Sequence, residues 1–193
     1  LGDHALSYWN SKVVPQNLLF IRNGIDLSIR DSLVDRENTL KMFSAHDDSP
    51  ILLMVSRLAG WKRIDRGIDL VEKLIDQYPK IKLIVVGDGE CKNKLINYAI
   101  KKGVANRIFF TGSRPRADIF SLMKSCDIFL SLYDISNCGN PLFEALINGI
   151  PIITLNNGST SSVITDRENG LLLEPDDHSG LISAILELIA NEQ

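Results

Sequence analysis

From Ile51 onward, short apolar runs alternate with segments whose apolar residues recur at helical spacing. That beat marks parallel strands joined by crossover helices. It predicts strands at Ile51 to Val55, Ile81 to Val86, Arg107 to Thr111, Asp127 to Ser131, Pro151 to Leu155 and Gly170 to Leu173. Helices are expected near Asp65 to Gln77, Glu90 to Lys102, Ala117 to Lys124, Leu142 to Asn148 and Ser179 to Ala190. The architecture is therefore α/β, a parallel sheet of about six strands with helices on both faces. Ligands of such sheets sit beyond the carboxyl ends of the strands. Four loops lie there: Arg57 to Lys62, Gly87 to Gly89, Ser131 to Asn140 and Asn156 to Thr160.

The first fifty residues break the beat, with a strand expected at Leu18 to Ile21, a turn at Asn23-Gly24 and a helix over Leu33 to Ala45. They read as the approach to the domain rather than a domain of their own. Composition then narrows the function. At 193 residues, 45% apolar and 23% charged, the chain is long enough for one α/β domain with a full core. A formal net charge of −3 offers no broad attraction to a polyphosphate backbone, so a nucleic-acid partner is not expected. Cys91, Cys126 and Cys138 form no C-x-x-C pair, and His4, His46 and His178 lack ligand spacing, so neither a metal nor a bound cofactor is expected. Reduced thiols suit a cytoplasmic protein. No apolar run reaches the roughly 18 residues of a membrane span, and the opening Leu-Gly-Asp-His does not read as a signal peptide. The absence of an initiator Met points to a fragment.

The most informative stretch is Gly139-Asn140-Pro141-Leu142-Phe143-Glu144, closed by Gly149-Ile150-Pro151. Asn140 is suited to cap a helix and Pro141 to its first turn, where the missing proline N–H has no partner to lose. The positive end of that helix faces the loop at Ser136 to Gly139 and attracts an anion or a polyol, with Glu144 one turn in and able to meet hydroxyls. A purely structural reading, in which Asn140, Pro141 and Glu144 only start the helix, stands beside it. Arg57 and Lys62 flank Gly60 after the first strand and can together neutralise a diphosphate, or can be solvated surface cations. Gly87-Asp88-Gly89 lacks the third glycine of a dinucleotide fingerprint, so its expected roles are a tight turn and close backbone approach to a ligand. Gly60-Trp61-Lys62 lacks the phosphate-loop pattern, and no G-x-S-x-G elbow occurs.

As a set, these residues resemble the C-terminal, donor-binding domain of a family 4 glycosyltransferase with the GT-B fold. The likeness rests on Val55-Ser56-Arg57-Leu58 with Lys62, Ile84 to Gly89, Ile108 to Gly112, Ala145 through Ile153 and Glu168 to Leu172, in matching order. Upstream, Phe20 to Asp26 resembles the Asn-Gly-x-Asp crossover between the two domains of such enzymes. The resemblance implies a tail of the acceptor domain over residues 1–25 and a Rossmann-like nucleotide-sugar-binding domain over 26–193. It also implies a retaining, metal-independent hexosyltransferase using a UDP-, GDP- or ADP-linked sugar. Its partner is the missing N-terminal domain, through which any peripheral contact with the inner membrane face would be made. By the same likeness, Arg57 and Lys62 hold the diphosphate, Glu144 the ribose, and the backbone from Gly139 to Leu142, with Asn140 and Pro141, the phosphate and sugar. Gly87 and Arg114 lie by the nucleotide, Arg114 beside the base.

Two departures accompany the likeness. The family carries a first glutamate eight positions before the second, where Ser136 stands, so the sugar contact falls to Ser136 itself or to its neighbours Asp134 and Asn137. A whole acceptor domain and a returning final helix are missing, so the fragment is expected to bind donor but transfer little. Alternatives left open are a sugar-nucleotide epimerase or phosphorylase of related fold, and a non-catalytic nucleotide-binding or interaction module.

Overall fold

The computed structural model describes residues 24–25, 35–42, 50–135 and 138–191. The strand expected at 18–21, nearly all of the 1–25 tail, and Ser136 and Asn137 lie outside them. Six strands form one sheet: β1 Ile51–Val55, β2 Lys82–Val86, β3 Ile108–Gly112, β4 Ile128–Ser131, β5 Ile152–Leu155 and β6 Leu171–Leu173. Among the described residues six helices surround it: α1 Arg36–Lys41, α2 Ile64–Leu74, α3 Lys92–Lys101, α4 Arg116–Ser125, α5 Asn140–Asn148 and α6 His178–Asn191. Every expected strand and helix in the described residues is present. Their ends move by up to about three residues; α2, for instance, gives way to turns before Pro79, with the Tyr78 N–H still donating to the Leu74 carbonyl at 2.8 Å.

All neighbouring strands run parallel, in the order β3-β2-β1-β4-β5-β6. Alternation along the strands divides the apolar side chains between two cores. Leu52, Met54, Leu83, Val85, Leu130 and Ile153 face α2, α3 and α6. On the opposite face Ile51, Leu53, Val55, Ile84, Phe129 and Ile152 meet α1, α4 and α5. Because both faces are covered, β1, β2, β4 and β5 are buried at every position.

The order reverses between β1 and β4: the chain steps outward through β2 and β3, then returns to the far side of β1. The chain leaves β1 for α2 on one face and β4 for α5 on the other, and in sheets of this kind ligands bind at such a switch point, in the crevice outside the carboxyl ends of the strands. Asp127 clamps the opposite end of this seam. Its carboxylate, 8% exposed, accepts the Ile51 N–H at 2.7 Å and the Arg36 guanidinium at 2.8 Å, and Arg36 also donates to the Ser125 carbonyl. Asp127→Ala leaves the buried Ile51 N–H without its acceptor and is expected to destabilise the domain by about 2 kcal/mol, read as a lower urea midpoint with an unchanged m-value.

Candidate functional site

After β1 the chain stays close to β2. The Ser56 N–H donates to the Val86 carbonyl, the Leu58 N–H donates to the Asp88 carbonyl, and the Leu58 carbonyl accepts from the Cys91 N–H, at 2.9 to 3.0 Å. Leu58 is fully buried. Arg57, between these pinned positions, is thrown outward: its side chain is 73% exposed and meets Glu90 at 3.2 Å. So exposed a pair contributes little to stability, and the guanidinium is available to exchange partners. Gly87 makes the close run of the two loops feasible. At its φ of 131° a Cβ would lie 1.9 Å from the Ser56 carbonyl oxygen. The close approach expected at Gly87 is thus made by the backbone of the β1 loop.

The loop then coils into a 3-10 turn, Gly60–Lys62, and enters α2 through Arg63, whose φ is 48°. Lys62 is half-buried, with Nζ 4.1 Å from the centre of the Trp61 ring and 3.7 Å from that of Tyr133. Loss of hydration on burial lowers its pKa from the ordinary lysine value. Tyr133 belongs to the β4 loop and is itself anchored, donating its hydroxyl to the Val55 carbonyl at 3.0 Å; burial pushes its pKa up to about 12. A second tie is main-chain, from the Asp134 N–H to the Trp61 carbonyl at 3.0 Å. A third is ionic. The Asp134 carboxylate accepts from Arg63 and Arg66, each at 3.0 Å, and Arg66 also donates to the Leu132 carbonyl at 2.7 Å. Asp134 thus joins the two loops by main chain and side chain alike.

Ahead of α5, Cys138 adopts a left-handed φ of 51° and donates its Sγ–H to the Ser159 carbonyl at 3.0 Å. The cap of α5 is Gly139, in extended conformation and without a side-chain hydrogen bond, and Asn140 and Pro141 are its first helical residues. The expected cap at Asn140 is therefore displaced by one position. Proline in the first turn has no N–H to satisfy, so the helix start does not need an asparagine oxygen. No side chain caps its positive end. Leu142 faces the core, and its N–H returns to the Gly139 carbonyl at 3.0 Å.

Glu144, one turn further, is only 6% exposed. One of its carboxylate oxygens accepts from Arg116 Nε at 3.1 Å, while the Arg116 guanidinium lies over the Phe120 ring at 5.4 Å. Arg114, two residues earlier in the loop after β3, is exposed. Arg57 and Lys62 thus follow β1, and Glu144 lies one turn into the helix that follows β4, the strand paired with β1. Trp61, Tyr133 and Arg116 were missed by sequence reasoning. Trp61 adjoins Lys62 and carried a local signal; Arg116 stands 28 residues from Glu144 on another crossover and carried none. A cavity of about 510 Å³ opens behind the turn, between α2 and α3, with Gly60, Ile64, Leu95 and Tyr98 in its walls. No residue of α5 lines it.

A chain with this sheet has known counterparts. The E. coli enzyme named UDP-Gal:alpha-D-GlcNAc-diphosphoundecaprenol alpha-1,3-galactosyltransferase is 27% identical over 184 residues, 91% of this chain and 46% of that protein. Among solved structures, Anabaena HepE in complex with UDP-glucose superposes with a TM-score of 0.85 at 24% identity, over 97% of this chain and 52% of that one. The C-terminal domain of a group 1 family glycosyl transferase from Francisella tularensis superposes at 0.73 with 20% identity, over 88% of this chain and 89% of that domain. The chain spans less than half the length of the curated relatives it matches. The family model described as "Glycosyl transferases group 1" matches residues 35–193, and the chain belongs to that family.

Proposed function

We propose that this domain binds the nucleotide-sugar donor of a family 4 type, retaining, metal-independent glycosyltransferase that passes a hexose to a glycan, lipid-linked or small-molecule acceptor. The observation that supports the reading is the adjacency of β1 and β4: the loop after β1 carries Arg57 and Lys62, and the loop after β4 leads to the uncapped start of α5 with the buried Glu144 one turn inside it. Arg57 and Lys62 with the amides of α5 neutralise a diphosphate, and would stabilise it as the leaving group without a metal ion. Glu144, held by Arg116, accepts from ribose hydroxyls, and Arg114 lies toward the base. Ser136 and Asn137 remain the candidates for the sugar contact.

Because this chain spans less than half the length of these relatives, transfer is assigned to a protein in which a second, acceptor-binding domain closes over the crevice. Residues 1–25 are read as the end of that domain and its crossover, and 26–193 as the donor domain. No helix among the described residues is long and apolar enough to cross a membrane. The proposed location is the cytoplasm, with any membrane contact made by the acceptor domain.

The test is a thermal-shift panel of UDP-, GDP- and ADP-sugars in the presence of EDTA, on the chain and on Arg57→Ala. A ligand at about a hundred times its dissociation constant adds about 2.7 kcal/mol of stability. One nucleotide is expected to give that shift, UDP being the first candidate from the complex of the Anabaena neighbour, and Arg57→Ala to shrink it. No shift with any of the three, or a shift that EDTA abolishes, would overturn the reading.

A further inference from the structure

Three cations stand in the loop after β1. Arg57 is paired with Glu90, and Arg63 with Asp65 and Asp134. Lys62 has no carboxylate partner among the described residues; what it has instead is two ring faces, Trp61 at 4.1 Å and Tyr133 at 3.7 Å, whose planes meet at 74°. An aromatic face attracts an ammonium through its quadrupole while leaving the net charge uncancelled. The rings also close off the approach of water from two sides, consistent with the lowered pKa of the amine. Tyr133 is fixed in turn by its hydroxyl on Val55 and by its carbonyl, which accepts from Asn157.

We propose that Trp61 and Tyr133 are positioning residues, an aromatic box that holds Lys62 oriented and un-neutralised at the crevice so that its free N–H groups recognise the diphosphate of the donor. The proposal rests on the donor-site reading above and deepens it. Lysine is a point charge on a flexible four-carbon stem, and fixing that stem before the ligand arrives removes part of the ordering entropy from binding. The box differs from an ion pair in its consequence. A carboxylate at this position would have to be displaced by the incoming phosphate, whereas the rings stay in place and continue to hold the cation from behind.

Trp61 carries the test, since it is 43% exposed and its replacement does not open the core, whereas Tyr133 is buried. The probes are the nucleoside diphosphate that gives the largest shift in the panel, UDP, GDP or ADP, and its nucleoside. Binding is measured by titration calorimetry and, for the nucleoside, by saturation-transfer NMR. Trp61→Leu is expected to weaken the diphosphate about three- to tenfold and to leave the nucleoside within about twofold. Trp61→Phe, which restores a ring face, is expected to recover most of the loss. In a Lys62→Ala background, Trp61→Leu is expected to change nothing further, because the box has no cation left to hold. Equal losses for diphosphate and nucleoside, or the same loss with Lys62 absent, would overturn the proposal by reducing the rings to packing. If the unmodified chain binds none of the three diphosphates, the donor-site reading fails as well. If it binds one and Trp61→Leu binds it equally, the box alone fails.

Discussion

Gly87→Ala is expected to destabilise the domain by about 3 kcal/mol or more and to abolish donor binding with it. Two effects add. The residue sits at a φ of 131°, which L side chains rarely adopt, and the new methyl would stand 1.9 Å from the Ser56 carbonyl oxygen, a backbone atom that cannot rotate aside. Relief requires the loop after β1 to separate from the loop after β2. That breaks the bonds between Ser56 and Val86 and between Leu58 and Asp88, and moves Arg57 with them. Urea unfolding monitored by far-UV circular dichroism measures the loss. A change below about 1 kcal/mol would show that the two loops separate freely.

Lys62→Ala is expected to weaken nucleoside diphosphate binding by roughly ten- to a hundredfold, the range of a charge-assisted hydrogen bond withdrawn from an ionised group. The pH dependence gives a second readout with a definite sign. Burial lowers the Lys62 pKa from 10.5, so in the ligand-free fold the amine loses its proton earlier than it would in the unfolded chain. A bound diphosphate favours the ammonium. Affinity should therefore fall as pH rises through the ligand-free pKa, beginning below the ordinary lysine range. Folding stability moves the other way. The burial penalty on the ammonium is fully present at neutral pH and is relieved as pH rises through the interval between the folded and the unfolded pKa. Calorimetric titrations of the diphosphate between pH 7 and 10, compared with Lys62→Ala, separate the contribution of this amine; equal pH profiles for the two proteins would remove Lys62 from the site.

The elements with continuous apolar runs were legible from the chain alone. Ile51-Leu52-Leu53-Met54-Val55 and Leu83-Ile84-Val85-Val86 admit no other economical burial than a strand covered on both faces, and the strand-end loops followed from that. Arg57, Lys62 and Glu144 stood out as candidates for a related reason, since each lies close behind a strand or a helix start. What was not legible is pairwise and long-range. Asp134 reads as a loop residue until the sheet order sets it against Arg63 and Arg66. Arg116 reads as the first charge of a surface helix until α4 packs beside α5 and brings it to Glu144. The cap of α5 fell one residue early because helix-start preferences for asparagine and proline were both satisfied by the same dipeptide, and only backbone dihedrals assign Gly139. Trp61 was read as part of a failed phosphate-loop pattern, although its partner Tyr133 follows β4 by two positions.

The two cores bear on the ligand in a further way. Arg57 and Lys62 lead into α2, which is seated on one hydrophobic compartment, while Glu144 and Arg116 ride on α5 and α4, seated on the other. Between the compartments stands the sheet. A donor held as proposed, by its diphosphate from one side and its ribose from the other, would be a non-covalent crosslink between two separately packed halves of the domain. Its occupancy would then raise the cooperativity of their unfolding as well as the midpoint.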